Sequence, residues 1–216
     1  MLTDHFPLVG LRLRTPRLEL RLPGPEELAA LADVAAEGVH DPAEMPFTTP
    51  WTDLAPAERA LSVIQFHWTR LGANTRENWG LPLTVLHDGV VVGQQDISAK
   101  NLAVRREVGT GSWLGRRHHG KGIGTEMRAA VLHLAFEGLG VVSARSAAFE
   151  TNPSSLAVSR KLGYELDGID RDVVRGGVSV TRRLRLGREA WERHRTVPVT
   201  VEGLAPCLPM LGLPGA

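Results

Sequence analysis

Apolar and polar positions along the chain follow two periods. Leu18-Glu19-Leu20-Arg21-Leu22 alternates like a half-buried strand, and Pro23-Gly24-Pro25 stops it. Glu26 to Glu37 reads as a helix with Leu28, Leu31 and Ala35 on one face, and Ala57 to Leu71 reads as a second. Residues 38–55 between them hold Gly38, Pro42, Pro46, Pro50 and Trp51; Pro-punctuated connections of this length are often functional. Leu81–Leu86 and Val90–Ile97 flank His87-Asp88-Gly89, a hairpin signal, and Val108–Gly115 is a third strand. Ile123, Met127, Val131 and Leu134 recur at helical spacing and predict a helix over 122–137. Val141–Phe149 is a strand, and Pro153–Leu162 is a helix ended by Gly163. Tyr164–Val174 and Val178–Leu186 form a hairpin around Arg175-Gly176-Gly177, and Glu189–Arg195 is a short helix. This order predicts an α/β chain, a mixed sheet with helices on it, as one domain over 1–195. The tail 196–216 carries Pro198, Pro206, Pro209 and Pro214 and reads as a C-terminal extension, packed on the body or used in self-association.

Composition narrows the classes. The chain has 216 residues, 43% hydrophobic and 23% charged, which is ordinary globular usage and excludes disordered, collagen-like and coiled-coil chains. A net charge of +1 argues against a dedicated nucleic-acid binder. The one cysteine, Cys207, allows no internal disulfide and no Cys-based metal site. No apolar run approaches a membrane span, and Met1 to Phe6 lacks the regions of a signal peptide. The expectation is a cytoplasmic protein with no membrane partner. His118 and His119 are adjacent, have no further ligand at sensible spacing, and suggest no metal.

The chemistry concentrates where a strand runs through Trp113-Leu114 into His119-Gly120-Lys121-Gly122-Ile123-Gly124-Thr125 and on into the strongest helix. The first amides of a helix have no intrahelical partner, and the dipole there is positive. Glycines let several N–H groups turn toward a ligand, so the segment reads as a pyrophosphate cradle. Three loop types compete. A Walker A loop fits from Gly115 to Lys121, but Gly122 stands where its hydroxyl residue belongs. A dinucleotide fingerprint fits at Gly120 and Gly122, but Thr125 stands at its third glycine. The third type is a coenzyme A loop of the form [QR]-G-x-G-[ILV]-[GA], matched except that His119 takes the first position.

A second element lies about thirty residues on. Asn152-Pro153-Ser154-Ser155 opens a helix that ends Arg160-Lys161-Leu162-Gly163-Tyr164. Capping alone explains Asn152 and Pro153. The pair of motifs, in this order of elements, resembles the GNAT N-acyltransferases. Thr15-Pro16-Arg17-Leu18-Glu19-Leu20-Arg21 and Gly111-Ser112-Trp113-Leu114-Gly115 resemble the RimJ/RimL-type branch. The connection Gly38–Trp51 resembles that of actinobacterial members, some associated with succinyl-CoA.

The resemblance implies a GNAT fold: a mostly antiparallel sheet of about seven strands, with a splayed pair forming an acyl-CoA cleft. It implies acetyl-CoA or succinyl-CoA as co-substrate, a protein N-terminus or small-molecule amine as acceptor, and a homodimer. An N–H near Leu114, beside Trp113, would meet the thioester carbonyl. The amides of Gly120 to Thr125 would hold the pyrophosphate. Asn152 and Ser155 would face the pantetheine and sulfur, with Ser155 assisting thiolate departure. Ser159 stands where many members carry a catalytic Tyr. Glu150 is the candidate base, with Asp96, Glu107 and Asp172 as other carboxylates and a water chain as the equal alternative. His40, Met45, Phe47 and Trp51 suggest an amphipathic acceptor lid, with Trp79 nearby. The substituted His119 and the absent Tyr leave open a coenzyme A-binding regulatory module with little catalysis.

Overall fold

The computed structural model describes residues 1–215. In chain order it contains α1 (Leu2–His5), a 3₁₀ turn at Pro7–Gly10, β1 (Arg12–Arg14), β2 (Leu18–Arg21) and α2 (Pro25–Glu37). A 3₁₀ turn at Trp51–Asp53 precedes α3 (Pro56–Gly72), β3 (Asn78–His87), β4 (Val90–Lys100), α4 (Leu102–Arg105) and β5 (Glu107–Leu114). A 3₁₀ turn at Arg116–His118 leads to α5 (Ile123–His133), which widens into a π turn at Leu134–Gly138. Then come β6 (Ser143–Phe149), α6 (Pro153–Lys161), β7 (Glu165–Val174), β8 (Gly177–Gly187), α7 (Arg188–His194), β9 (Thr200–Glu202) and a 3₁₀ helix at Ala205–Leu211.

The strands form one sheet in the order β7-β8-β6-β5-β4-β3-β2-β1-β9. Only β5 and β6 pair in parallel; the other neighbours are antiparallel. The α+β GNAT architecture agrees with expectation, with nine strands rather than about seven. The additional pair, β1 and β9, has three residues in each strand, too few to show a period.

Local sequence sets the helix starts. Pro25, Pro56 and Pro153 each occupy the first helical turn, where a missing N–H costs nothing. Glu27 accepts the N–H of Gly24 at 2.9 Å, and Glu58 that of Ala55 at 3.3 Å. The helices then cover opposite sheet faces. Ile123, Met127, Ala130 and Val131 of α5 join Leu20, Leu83, Ile97 and Leu114 in the main core. Leu31, Val34 and Ala35 of α2 and Val63 of α3 pack with Leu86 and Val91 on the other side, against Trp113.

The tail packs on the body. β9 extends the sheet beside β1, with Leu13 opposite Val201, and Cys207 and Leu211 are fully buried. This corrects the expectation for Trp79. Its indole is 1% exposed, and its Nε1 donates to the Leu211 carbonyl at 3.0 Å. The tail covers it, so Trp79 is core and lines no cleft. Among the described residues no helix is long and apolar enough to cross a membrane, and no cluster of three or more His, Cys, Asp or Glu is placed to hold a metal.

Candidate active site

The parallel pair opens. β5 and β6 pair only at Glu107–Ser143, Val108–Ala144 and Gly109–Arg145. Beyond Gly109, β5 follows β4 to Leu114 while β6 follows β8 to Phe149. The Gly115 N–H bonds to Val92 across β4 at 2.9 Å. Successive peptide groups of a strand face opposite sides, so the Leu114 peptide faces the opening. His119 lies on that side, with its Nε2 3.1 Å from the Leu114 carbonyl. The imidazole thereby ties the following loop to the strand end.

The loop turns through left-handed conformations at Gly120 (φ +74°) and Gly122 (φ +79°), where a side chain would be strained. The N–H groups of Gly120, Lys121, Gly122, Ile123 and Gly124 have no acceptor among the described residues. Thr125 differs from expectation: its N–H is spent on the Gly122 carbonyl at 3.1 Å. The cluster of free donors therefore ends at Gly124, at the positive end of α5.

A buried carboxylate braces this cluster. Glu126, in the first turn of α5, accepts from Thr15 Oγ1 at 2.6 Å, the Arg17 N–H at 3.2 Å and Arg17 Nε at 2.7 Å. Arg17 Nη1 donates to the Lys121 carbonyl at 3.2 Å. Burial opposes ionisation of Glu126, but the bonds from Thr15 and Arg17 outweigh it and hold the carboxyl below its usual range.

α6 closes the opposite side. Asn152 Oδ1 accepts the Ser155 N–H at 3.0 Å, the expected cap. The Ser155 hydroxyl is half-buried and has no protein partner among the described residues. One turn on, the Ser159 hydroxyl donates to the Ser155 carbonyl at 3.0 Å and accepts from Arg128 Nη1 at 2.9 Å. Arg128 Nη2 donates to Ser112 Oγ on β5 at 3.3 Å. This guanidinium is 5% exposed, has no carboxylate partner among the described residues, and has its pKa lowered by burial.

The connection 38–55 supplies an aromatic wall on the α2/α3 face. Ring centroids lie 5.7 Å apart for His40–Phe47, 5.4 Å for Phe47–Trp51 and 5.6 Å for Trp51–Trp113. The chain of rings ends on β5 next to Leu114. Asp53 makes a two-point contact with Arg175 at the β7–β8 turn. The Arg175 hydrogen bond holds the Asp53 carboxyl below its usual range.

The structure separates Glu150 from these groups. It is exposed at the end of β6 and forms an ion pair with Arg182 at 2.8 Å. Under α3 lies a polar cluster that sequence reasoning missed. His67 Nε2 donates to Gln94 Oε1 at 2.8 Å, and Gln94 Nε2 donates to Asp96 Oδ2 at 2.9 Å. Burial pushes Asp96 up to about 6 and His67 down to about 4. The alternation of β4 places Gln94 and Asp96 on one face. Their meeting with His67 depends on the packing of α3, and no local motif announces it.

A sheet that opens between parallel strands beside a helix N-terminus is an acyltransferase architecture. The chain belongs to the GNAT acetyltransferase family: the family model described as "Acetyltransferase (GNAT) domain" matches residues 17–165. Solved structures share the fold at low identity. RimJ from Mycobacterium smegmatis, in complex with CoA-disulfide, is 19% identical with a TM-score of 0.63, covering 87% of this chain and 94% of its own. RimL, a ribosomal L7/L12 alpha-N-protein acetyltransferase in complex with coenzyme A, is 16% identical with a TM-score of 0.64, covering 82% and 97%. A spermidine N-acetyltransferase SpeG chimera from Vibrio cholerae and hSSAT is 14% identical with a TM-score of 0.63, covering 82% and 98%.

Proposed function

We propose that this protein transfers an acetyl group from acetyl-CoA to a primary amine, through direct attack of the neutral amine on the thioester. The observation that carries the reading is the run of free N–H donors from Gly120 to Gly124 at the end of a strand that has parted from its neighbour. Those donors suit a diphosphate, and the opening suits an extended pantetheine arm. The Leu114 N–H is the oxyanion donor, a fixed dipole where negative charge develops. Asn152 and Ser155 face the arm, and the free Ser155 hydroxyl assists departure of the thiolate.

The acceptor is an α-amine at a protein N-terminus. Such an amine has a pKa of about 7.7–8.0 against about 10.4 for lysine, so more of it is neutral at working pH. The names of the RimL and RimJ neighbours agree with this class. The half-buried wall of His40, Phe47, Trp51 and Trp113 gives the first side chains of a peptide an aromatic seat.

A second reading concerns the donor. Arg128 is a buried cation held by two serine hydroxyls below the opening, the groups a succinyl carboxylate requires. Mass spectrometry of the ligand retained through purification, followed by thiol release with acetyl-CoA and succinyl-CoA against peptides bearing free N-termini, decides among these. Turnover with acetyl-CoA supports the main reading, and preference for succinyl-CoA supports the second. Coenzyme A binding without turnover supports a regulatory module and overturns both.

A further inference from the structure

We propose that Asp96 takes the proton lost by the attacking amine, held for that task by Gln94 and His67 under α3. The inference rests on the acyl-transfer reading and names its missing base.

Position is the first argument. Across the β4–β5 ladder Gln94 stands opposite Trp113, and Asp96 opposite Gly111. Both side chains lie on the face that carries the aromatic wall. Gly109 and Gly111 leave this part of β5 without side chains; a Cβ at Gly111 would lie 4.0 Å from that of Asp96. Bare backbone therefore leads from the Leu114 end to Asp96. The separation is about 10 Å at the rise of a strand, within reach of a short water chain.

Polar bookkeeping is the second. A carboxamide oxygen only accepts, so His67 donates through Nε2 and its Nδ1 carries a lone pair. Asp96 Oδ1 and His67 Nδ1 are buried and have no partner among the described residues. α3 contributes His67 and Arg70 to this environment, while Pro82 of β3 and Gly111 of β5 face Asp96 without charge. Arg70 acts on Asp96 only at a distance, and the two make no ion pair. Burial outweighs both Gln94 and Arg70, so this carboxylate is a stronger base than an exposed one.

The step balances. Nitrogen attacks the thioester carbon, the N–C bond forms and the carbonyl π pair moves to oxygen. The surplus proton on nitrogen passes through water to Asp96. The carbonyl re-forms, the C–S bond breaks, and the thiolate leaves with its pair and takes a proton from solvent. The products are an amide and free coenzyme A, and Asp96 returns its proton to solvent.

The test is the pH dependence of kcat/KM between pH 5 and 9, with acetyl-CoA and the best peptide of a panel with free N-termini. In the wild type both the amine and Asp96 must be deprotonated, so log kcat/KM should rise with a slope of two below about pH 6. Asp96→Asn should lower kcat/KM by about a hundredfold or more and reduce that slope to one, with acetyl-CoA affinity unchanged by calorimetry. Gln94→Met, which removes the donor to Oδ2, should move the lower limb to higher pH. An Asp96→Asn enzyme within threefold of wild type, or one that keeps the slope of two, overturns the inference while leaving acyl transfer intact. A wild type that binds coenzyme A and acylates nothing overturns the acyl-transfer reading itself, and this inference with it.

Discussion

Asp96 shows what a single residue can cost its fold. Unfolded, its carboxyl titrates near 3.8; folded, near 6. Between these values the native state holds the additional proton, so stability falls as pH rises through this window and stays lower above it. Asp96→Asn should therefore raise the melting temperature at pH 7–8, where His67 is neutral in both states, by the equivalent of up to about 3 kcal/mol. Calorimetry checks it, and an unchanged or lower melting temperature contradicts the uncompensated burial. Legibility at this scale was uneven. Gly120, Gly122, Asn152 and Ser155 were readable because turns and caps are chosen by neighbouring residues. Asp96 stood in the sequence as one carboxylate among several, and Arg128 as one helix residue among many. Their roles come from burial without a counter-ion, which only tertiary contact creates. Trp79 failed for the same reason: its cover lies more than a hundred residues further along the chain.

Between elements, the splay of β5 from β6 is the decisive event. The strands themselves were legible from alternation and the hairpins from their Gly-containing turns. The divergence was not, because register is settled between strands and leaves no local period. The same holds for the tie between the 3₁₀ turn at Trp51–Asp53 and the β7–β8 turn. Asp53 and Arg175 bring the two sides of the proposed acceptor mouth together across 122 positions. The pair is exposed, so its loss should hardly affect stability. Arg175→Ala should nonetheless raise the KM for the peptide acceptor several-fold and leave the KM for acetyl-CoA within error. Steady-state kinetics with each substrate varied in turn would check this. Equal shifts in both constants would mean that the tie shapes the whole cleft rather than its acceptor side.

Taken whole, the molecule is a nine-stranded sheet whose last strand comes from the proline-rich tail. Proline spacing hid that strand, since three residues between prolines carry no pattern. A chain ending at Arg195 loses β9 and the burial of Cys207 and Leu211, and should be destabilised by on the order of 5 kcal/mol in urea unfolding. A truncated chain of wild-type stability would contradict the tail's part in the core. The overall architecture was accessible early because the order of helices and strands constrains how a mixed sheet can be wound. The cleft within it emerged only when the sheet was assembled.

Amide chemical shifts of the 15N-labelled protein, followed during titration with coenzyme A, test the central claim most directly. The account predicts that the N–H signals of Gly120, Lys121, Gly122, Ile123 and Gly124 move downfield together, while that of Thr125, already bonded to Gly122, moves least. Saturable binding that leaves those five signals in place, with the shifts concentrated elsewhere on the sheet, would contradict it.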